Sequence, residues 1–130
     1  MDLSALLSEA RTARDRAYAP YSRFAVGAAL RASSGRVFAG CNVENLSFGL
    51  TICAERSALF AAIAAGEREF DAIAIVADSK EPVTPCGACR QVLAEFAPAL
   101  RICCSNLEGN TFNSTLRELL PRATEGILGT

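Results

Sequence analysis

Histidine and tryptophan are absent from the 130 residues of this chain, and tyrosine occurs only twice. A metal site in such a chain has to take its ligands from cysteine and carboxylate side chains. The formal net charge is −1, without a run of basic residues. Because proteins that bind nucleic acid usually carry a basic groove and stacking aromatic rings, this composition argues against nucleic acid as a partner.

Long apolar runs are missing as well. The run at 58–65 is far short of the roughly 20 residues that a membrane-spanning helix requires. The first residues lack the basic and then apolar layout of a signal peptide. We therefore expect a cytoplasmic protein without a membrane partner. In that compartment its six cysteines serve as thiols and metal ligands rather than as disulfides.

The composition predicts a single folded domain across residues 1–130. Hydrophobic residues make up 51% of the chain and charged residues 21%, which is typical of globular rather than disordered proteins. The apolar share is high for a chain of this size. It favours an oligomer that buries one face against copies of itself.

Apolar periodicity predicts four helices and five strands. The helices are expected at 3–17, 53–65, 86–96 and 114–120, and the strands at 24–30, 36–43, 70–77, 100–104 and 111–112. The first two strands flank a Ser-Ser-Gly turn and are expected to form a hairpin. The third and fourth are apolar enough to be buried on both faces. We therefore predict an α/β fold, a three-layer α/β/α sandwich around a mixed sheet of about five strands.

Two short motifs place three cysteines where helices are predicted to begin: Cys-Ala-Glu at 53–55 and Pro-Cys-Gly-Ala-Cys at 85–89. Cys86 and Cys89 are three residues apart and so share one face of a helix. Cys53 has to approach from another helix start. Three thiolates leave the fourth position of a tetrahedral zinc ion open, as in catalytic zinc sites.

The remaining cysteines, Cys41, Cys103 and Cys104, are interpreted as small core residues. The alternative is a structural zinc site with Cys41 as the fourth ligand. Structural sites usually pair two Cys-x-x-Cys motifs, whereas this chain has one. The pattern therefore favours an open, catalytic site.

Charged residues beside the cysteines predict how the site works. Glu55 follows Cys53 by two residues, a spacing that puts the two side chains on different faces of a helix. We expect Glu55 to carry protons beside the metal rather than to bind it. Three thiolates leave the zinc site anionic, which weakens its Lewis acidity. Arg56 is the first candidate, and Arg90 the second, to donate a hydrogen bond to a ligand sulfur and so offset that charge. The positive ends of two helix dipoles are expected to contribute to the same effect.

Further segments extend the pattern over most of the chain. They are Tyr-Ala-Pro-Tyr-Ser at 18–22, Asn-Val-Glu-Asn at 42–45, Cys-Ala-Glu-Arg at 53–56, Pro-Cys-Gly-Ala-Cys-Arg-Gln-Val at 85–92 and Leu-Leu-Pro at 119–121. In this order and spacing they resemble the small homotetrameric cytidine deaminases. The resemblance implies zinc-dependent hydrolysis of cytidine and deoxycytidine to uridine and deoxyuridine, with release of ammonia, in pyrimidine salvage. It also implies one zinc ion per chain and a homotetramer with its sites at subunit interfaces.

The same resemblance assigns zinc binding to the three cysteines of the two motifs and the proton shuttle to Glu55. It places Asn42 and Glu44 on the ribose 3′-hydroxyl, Phe24 against the base and the backbone of Ala54 on the pyrimidine carbonyl. An amide and a carboxylate on one short loop also suit a sugar diol. Because the chain offers no phosphate-binding loop, a nucleoside is expected rather than a nucleotide.

Two positions depart from the family pattern. Phe48 stands where a tyrosine is usual, which removes one hydroxyl near the ribose. Thr124 stands where an aromatic residue usually packs on the base in a neighbouring subunit's site, and Ile127 or Leu128 could fill the space. A pocket without that aromatic residue has more room. The sequence therefore leaves open an alternative substrate, namely a modified cytidine or a cytosine-nucleoside antibiotic. The more distant alternative is a structural module that zinc holds together and that has no activity. Such a module would need four cysteine ligands.

Overall fold

The computed structural model describes residues 3–125 of the chain. In chain order its elements are α1 (Ser4–Arg14), β1 (Val26–Ala32), β2 (Val37–Cys41), a short 3-10 turn (Phe48–Leu50), α2 (Ala54–Ala64), β3 (Phe70–Ala77), α3 (Gly87–Ala94), β4 (Arg101–Ser105), β5 (Thr111–Thr115) and α4 (Leu116–Leu119). The strands form one sheet in the order β2-β1-β3-β4-β5. Strands β3 and β4 run parallel, and the other neighbouring pairs are antiparallel. The predicted mixed, five-stranded sheet is confirmed.

Helices cover both faces of this sheet. On one face α1 packs through Leu6 and Ala10 against small residues of β1 and β3. On the other face α2 and α3 bury Leu59 and Leu93 in a larger cluster that includes Ile75 of β3. Successive residues of a strand point to opposite faces, so each inner strand contributes to both layers. The predicted three-layer sandwich is therefore confirmed.

The central strand β3 has the bounds that its apolar run predicts, and its residues are buried except for the half-buried Asp71. Burial on both faces is expected for a strand that has neighbours on each side and helices above and below. No helix within residues 3–125 is long and apolar enough to cross a membrane.

Several element ends differ from the prediction. Helix α1 stops at Arg14 rather than at 17, because the next three amides donate to carbonyls only three residues back, as in a tightening last turn. Strand β5 runs to Thr115 instead of covering only 111–112, since all five of its residues pair with β4. Helix α4 begins after Thr115, whose Oγ1 accepts a hydrogen bond of 3.3 Å from the backbone N–H of Glu118 and so caps the helix.

Candidate active site

The three cysteines of the two motifs come together at the starts of α2 and α3. Cys53 and Cys86 are the N-cap residues of these helices, and Cys89 lies in the first turn of α3. Their sulfur atoms all lie within 4.8 Å of one another, and the Sγ atoms of Cys53 and Cys86 are 4.0 Å apart. In a tetrahedral site with zinc–sulfur bonds of about 2.3 Å, neighbouring sulfurs are about 3.8 Å apart. The donor set therefore fits one zinc ion.

Backbone groups support the same cluster. The N–H of Cys89 donates to Sγ of Cys86 over 3.5 Å. Because two helices begin at the cluster, their unpaired N–H groups also direct partial positive charge toward it. Both effects favour the thiolate form that a metal ion requires.

The other cysteines lie outside this cluster. Cys103 and Cys104 are buried in β4, where burial raises the pKa of both thiols, that of Cys104 to about 12. Cys41 ends β2 and is half-buried. Among the residues that the structure describes, the group of possible metal ligands contains Cys53, Cys86 and Cys89 without Cys41. The expected fourth ligand of a structural site is therefore not in place.

Glu55 lies in the first turn of α2 and is 5% exposed. Burial raises the pKa of its carboxyl group to about 7, since a carboxylate loses hydration that the protein only partly replaces. A group with this pKa can both accept and release a proton near neutral pH. The side chain lines the same cavity as Cys53 and Cys86.

Arg56 contacts a ligand sulfur, as expected from its position. Its Nη2 donates to Sγ of Cys53 over 3.4 Å. The pKa of Cys53 is lowered to about 5, first because the thiol of Cys89 donates to its sulfur and then because Arg56 does. Sharing its proton in this way raises the pKa of Cys89. Between Cys53 and Cys89, negative charge is therefore favoured on the sulfur of Cys53.

Arg90 has different partners from those we expected. Its Nε donates to the carbonyl of Pro85 over 2.7 Å and its Nη1 to the carbonyl of Leu119 over 2.9 Å. Its Nη2 donates to Oγ1 of Thr84 over 3.1 Å. These contacts tie the segment that enters Cys86 to the end of α4. They favour a role in positioning that segment, whereas a direct effect of Arg90 on a sulfur stays a prediction.

A cavity of about 300 Å³ opens beside the sulfur cluster. It is a size that holds a small ligand. The predicted site residues among its lining residues are Phe24, Asn42, Glu44, Cys53, Ala54, Glu55 and Cys86. The structure therefore brings the expected substrate contacts, two of the thiols and the expected proton carrier to one cavity.

Six lining residues were not expected: Ser22, Val26, Thr51, Ile75, Val83 and Thr84. Ser22 belongs to the Tyr-Ala-Pro-Tyr-Ser segment, and Thr84 directly precedes the second cysteine motif. Their closeness to these sequence motifs was the signal from which they could have been predicted as cavity residues. Thr51 and Val83 each precede a cysteine motif by two residues, so the same signal was available for them.

Glu44 and Asn42 also shape the cavity wall. Oε1 of Glu44 accepts hydrogen bonds from the backbone N–H groups of Tyr21 and Ser22, at 2.9 and 3.1 Å, and Oε2 accepts one from the hydroxyl of Ser22. The bond from the hydroxyl of Ser22 is the main reason why the pKa of Glu44 lies below its usual value. The carboxylate thus remains an ionised acceptor while it holds the 21–22 turn.

Asn42 braces the next part of the same segment. Its Oδ1 accepts from the N–H of Val26 over 2.9 Å, and its Nδ2 donates to the carbonyl of Phe24 over 2.8 Å. These bonds join the end of β2 to the start of β1 and fix the backbone that carries the ring of Phe24. Asn42 and Glu44 therefore organise the wall on which Phe24 is presented.

The two departures lie away from the sulfur cluster. Phe48 is 73% exposed and packs edge-on against Tyr21, with ring centroids 5.8 Å apart. Thr124 lines a separate surface depression next to Pro121 rather than the cavity of its own chain. Ile127 and Leu128, the expected substitutes for an aromatic residue at 124, lie outside the described residues.

Comparisons with known proteins agree with this geometry. Residues 1–105 match the family model for the cytidine and deoxycytidylate deaminase zinc-binding region. The chain is 56% identical over 124 residues to the cytidine deaminase of Halalkalibacterium halodurans, which covers 95% of this chain and 94% of that protein. A crystal structure of cytidine deaminase from Burkholderia pseudomallei matches with a TM-score of 0.90 and 52% identity, over 93% of this chain and 98% of the other. A blasticidin-S deaminase from Bacillus cereus is 31% identical over 104 residues, 74% of each chain.

Proposed function

This chain belongs to the cytidine and deoxycytidylate deaminase family, and from that membership we propose that it hydrolyses cytidine and deoxycytidine to uridine and deoxyuridine with release of ammonia. The observation that carries the proposal is the shared cavity. A buried carboxyl group with a pKa of about 7 lines the same space as two of three clustered thiols. Hydrolytic deamination at a zinc site needs this pair of functions.

Each part of the site has its own task in this reaction. Zinc, when bound by Cys53, Cys86 and Cys89, supplies Lewis acidity that acidifies a water molecule. Glu55 accepts the proton that the water gives up and delivers it to a ring nitrogen of the pyrimidine. The water oxygen bonds to C4. Glu55 then takes the remaining proton of that oxygen and passes it to the exocyclic amine, while the bond between C4 and the exocyclic nitrogen breaks, the C4 carbonyl forms and ammonia leaves. Arg56 holds part of the negative charge of the Cys53 sulfur by its hydrogen bond.

The remaining cavity residues bind the nucleoside. Asn42 and Glu44 hold the ribose 3′-hydroxyl, Phe24 packs against the base, and the backbone of Ala54 contacts the pyrimidine carbonyl. Their common position in the cavity supports these roles. So does the ionised state of Glu44, because a carboxylate accepts a strong hydrogen bond from a sugar hydroxyl.

We propose further that the chain forms a homotetramer with its sites at subunit interfaces and serves pyrimidine salvage in the cytoplasm. Large apolar side chains are exposed around the 3-10 turn, where Leu46, Phe48 and Leu50 are each at least 65% exposed. Such a patch next to a ligand cavity suits a contact between copies. The six cysteines, all unpaired within the described part of the chain, suit a reducing compartment. Light scattering should give four times the 13.7 kDa of one chain.

The test of the activity is the absorbance change of cytidine on deamination, with and without a zinc chelator. We expect turnover that stops when the metal is removed and returns with zinc. Cys86→Ala should lose the metal and the activity together. The matched control is Cys41→Ala, which should keep both. If Cys41→Ala also releases zinc, Cys41 is a fourth ligand, and the site is structural rather than catalytic.

A second candidate substrate is a cytosine-nucleoside antibiotic or a modified cytidine. The similarity to a blasticidin-S deaminase favours it, together with the small side chain at Thr124. A panel of cytidine, deoxycytidine, small N4-substituted cytidines and blasticidin S separates the candidates. We expect the highest kcat/KM with the two unmodified nucleosides, and a higher value with the antibiotic would reverse the assignment.

A further inference from the structure

Gly40 lies on β2 where the first turn of α2 crosses the sheet. A Cβ atom at this position would lie 2.4 Å from the backbone nitrogen of Ala58 and 2.6 Å from the carbonyl oxygen of Ala54. Those two atoms are the donor and the acceptor of one i to i−4 pair of α2. Backbone atoms cannot rotate aside as the end of a flexible side chain can. Helix α2 therefore rests directly on β2 because residue 40 has no side chain.

This contact joins the two sides of the cavity. Ala54 stands between Cys53 and Glu55, which provide a thiol and the proton carrier. Gly40 stands two residues before Asn42, whose amide braces the wall that carries Phe24. The distance between the metal side and the nucleoside side of the cavity is thus set where Gly40 meets the first turn of α2.

We propose that Gly40 is a positioning residue that sets the geometry of the zinc site and the width of the cavity, an inference that rests on the proposed function. A methyl group at position 40 has to move α2 by roughly 1 Å to restore an ordinary contact distance. The first turn of α3 does not move with it, because Arg90 ties the segment before Cys86 to α4. The sulfur of Cys53 is then drawn away from those of Cys86 and Cys89.

The chain provides a matched control on the opposite face of the sheet. A Cβ atom at Gly27 would lie 2.0 Å from the carbonyl oxygen of Ala10 and 2.4 Å from the backbone nitrogen of Arg14, both in α1. That collision is at least as severe as the one at Gly40. Helix α1, however, carries none of the thiols and none of the cavity residues. Gly27→Ala therefore disturbs the packing of a helix that carries no thiol, on the same sheet. Because its neighbour Val26 lines the cavity, zinc affinity rather than kcat is the decisive comparison.

The experiment compares the full-length wild type, Gly40→Ala and Gly27→Ala. Zinc affinity is measured by competition with a chromophoric chelator, and the zinc-dependent rise in Tm is measured by calorimetry. We expect Gly40→Ala to lose about 10- to 100-fold in zinc affinity, as for other changes beside a metal ligand. At saturating zinc its kcat should fall by about 10²-fold, the cost of a misplacement of this size. Gly27→Ala should have a lower Tm but a zinc affinity within about threefold of the wild type.

Equal zinc affinity in the two variants would overturn the positioning role. A wild type that neither binds zinc nor deaminates cytidine would instead overturn the proposed function, and the inference with it. If Gly40→Ala does not fold, Ala28→Val and Ala29→Val replace the pair. Ala28 pairs with Gly40 and packs in the cluster of Ala54 and Ala58, whereas Ala29 packs in the α1 cluster. Weaker zinc binding by Ala28→Val than by Ala29→Val supports the proposal, and equal binding contradicts it.

Discussion

Replacing Glu55 by glutamine removes a titratable group from a side chain that is 5% exposed, while its shape is almost unchanged. In the zinc-free protein, burial raises the pKa of Glu55 from 4.5 to about 7. The native state therefore holds this proton more tightly than the unfolded chain does. Tighter proton binding by the native state adds to the free energy of unfolding. This contribution is fully present below pH 4.5, declines as the pH rises and is lost above about pH 7.

The size of the effect follows from the shift. A change from 4.5 to about 7 corresponds to about 3 kcal/mol at roughly 1.4 kcal/mol per unit. Above about pH 7, zinc-free Glu55→Gln should therefore be about 3 kcal/mol more stable than the zinc-free wild type, and below about pH 4.5 the two should agree. Urea unfolding in the presence of chelator and reductant measures the difference. Glu9→Gln, on the exposed side of α1, is the control for the loss of a negative charge.

The same substitution tests the chemistry. Because Glu55 is expected to move protons without binding metal, Glu55→Gln should keep about one zinc per chain while activity falls roughly 10²–10⁴-fold. Metal analysis and the absorbance assay on one sample measure both quantities. Near-normal turnover by the zinc-loaded variant would refute the role in proton transfer. A stability difference that does not change with pH would refute the buried, titrating carboxyl group.

Three further predictions concern the surroundings of the site. Arg56→Ala removes the 3.4 Å contact to the sulfur of Cys53, so the pH profile of activity should move to higher pH. An unchanged profile with unchanged turnover would contradict the role of Arg56 in offsetting the charge of that sulfur. Arg90→Ala removes three hydrogen bonds at 2.7, 2.9 and 3.1 Å, which should lower the free energy of unfolding by roughly 2–4 kcal/mol; a shifted pH profile would show that it acts on a sulfur instead. Thr124→Phe should lower KM for cytidine by up to roughly tenfold, from about 0.5–1.5 kcal/mol of stacking, and should reduce activity on N4-substituted cytidines. If neither quantity changes, position 124 does not reach a neighbouring site.

Short-range patterns predicted the helices and strands and the pairing of Cys86 with Cys89, whereas the order of the two cysteine motifs predicted that Cys53 joins them. Apolar periodicity located the helices and strands, and the three-residue spacing of Cys86 and Cys89 put both sulfurs on one helix face. Strand β5 shows the limit of that reasoning. Its polar residues Asn113 and Ser114 belong to the strand because they pair with β4, and pairing across a sheet leaves no mark in the local sequence.

The sequence by itself determined which side chains are available for chemistry: three thiols, a carboxyl group two residues after one of them, and arginines beside them. The tertiary structure alone decided how those side chains are used. Arg56 and Arg90 follow the N-cap cysteines of α2 and α3 by three and four residues, yet Arg56 contacts a sulfur and Arg90 contacts three oxygens. Gly40 carries no functional group, yet it lies against the backbone of the helix that holds Glu55. The physical reason is that hydrogen-bond partners and backbone contacts depend on which distant segments the fold brings within a few ångströms.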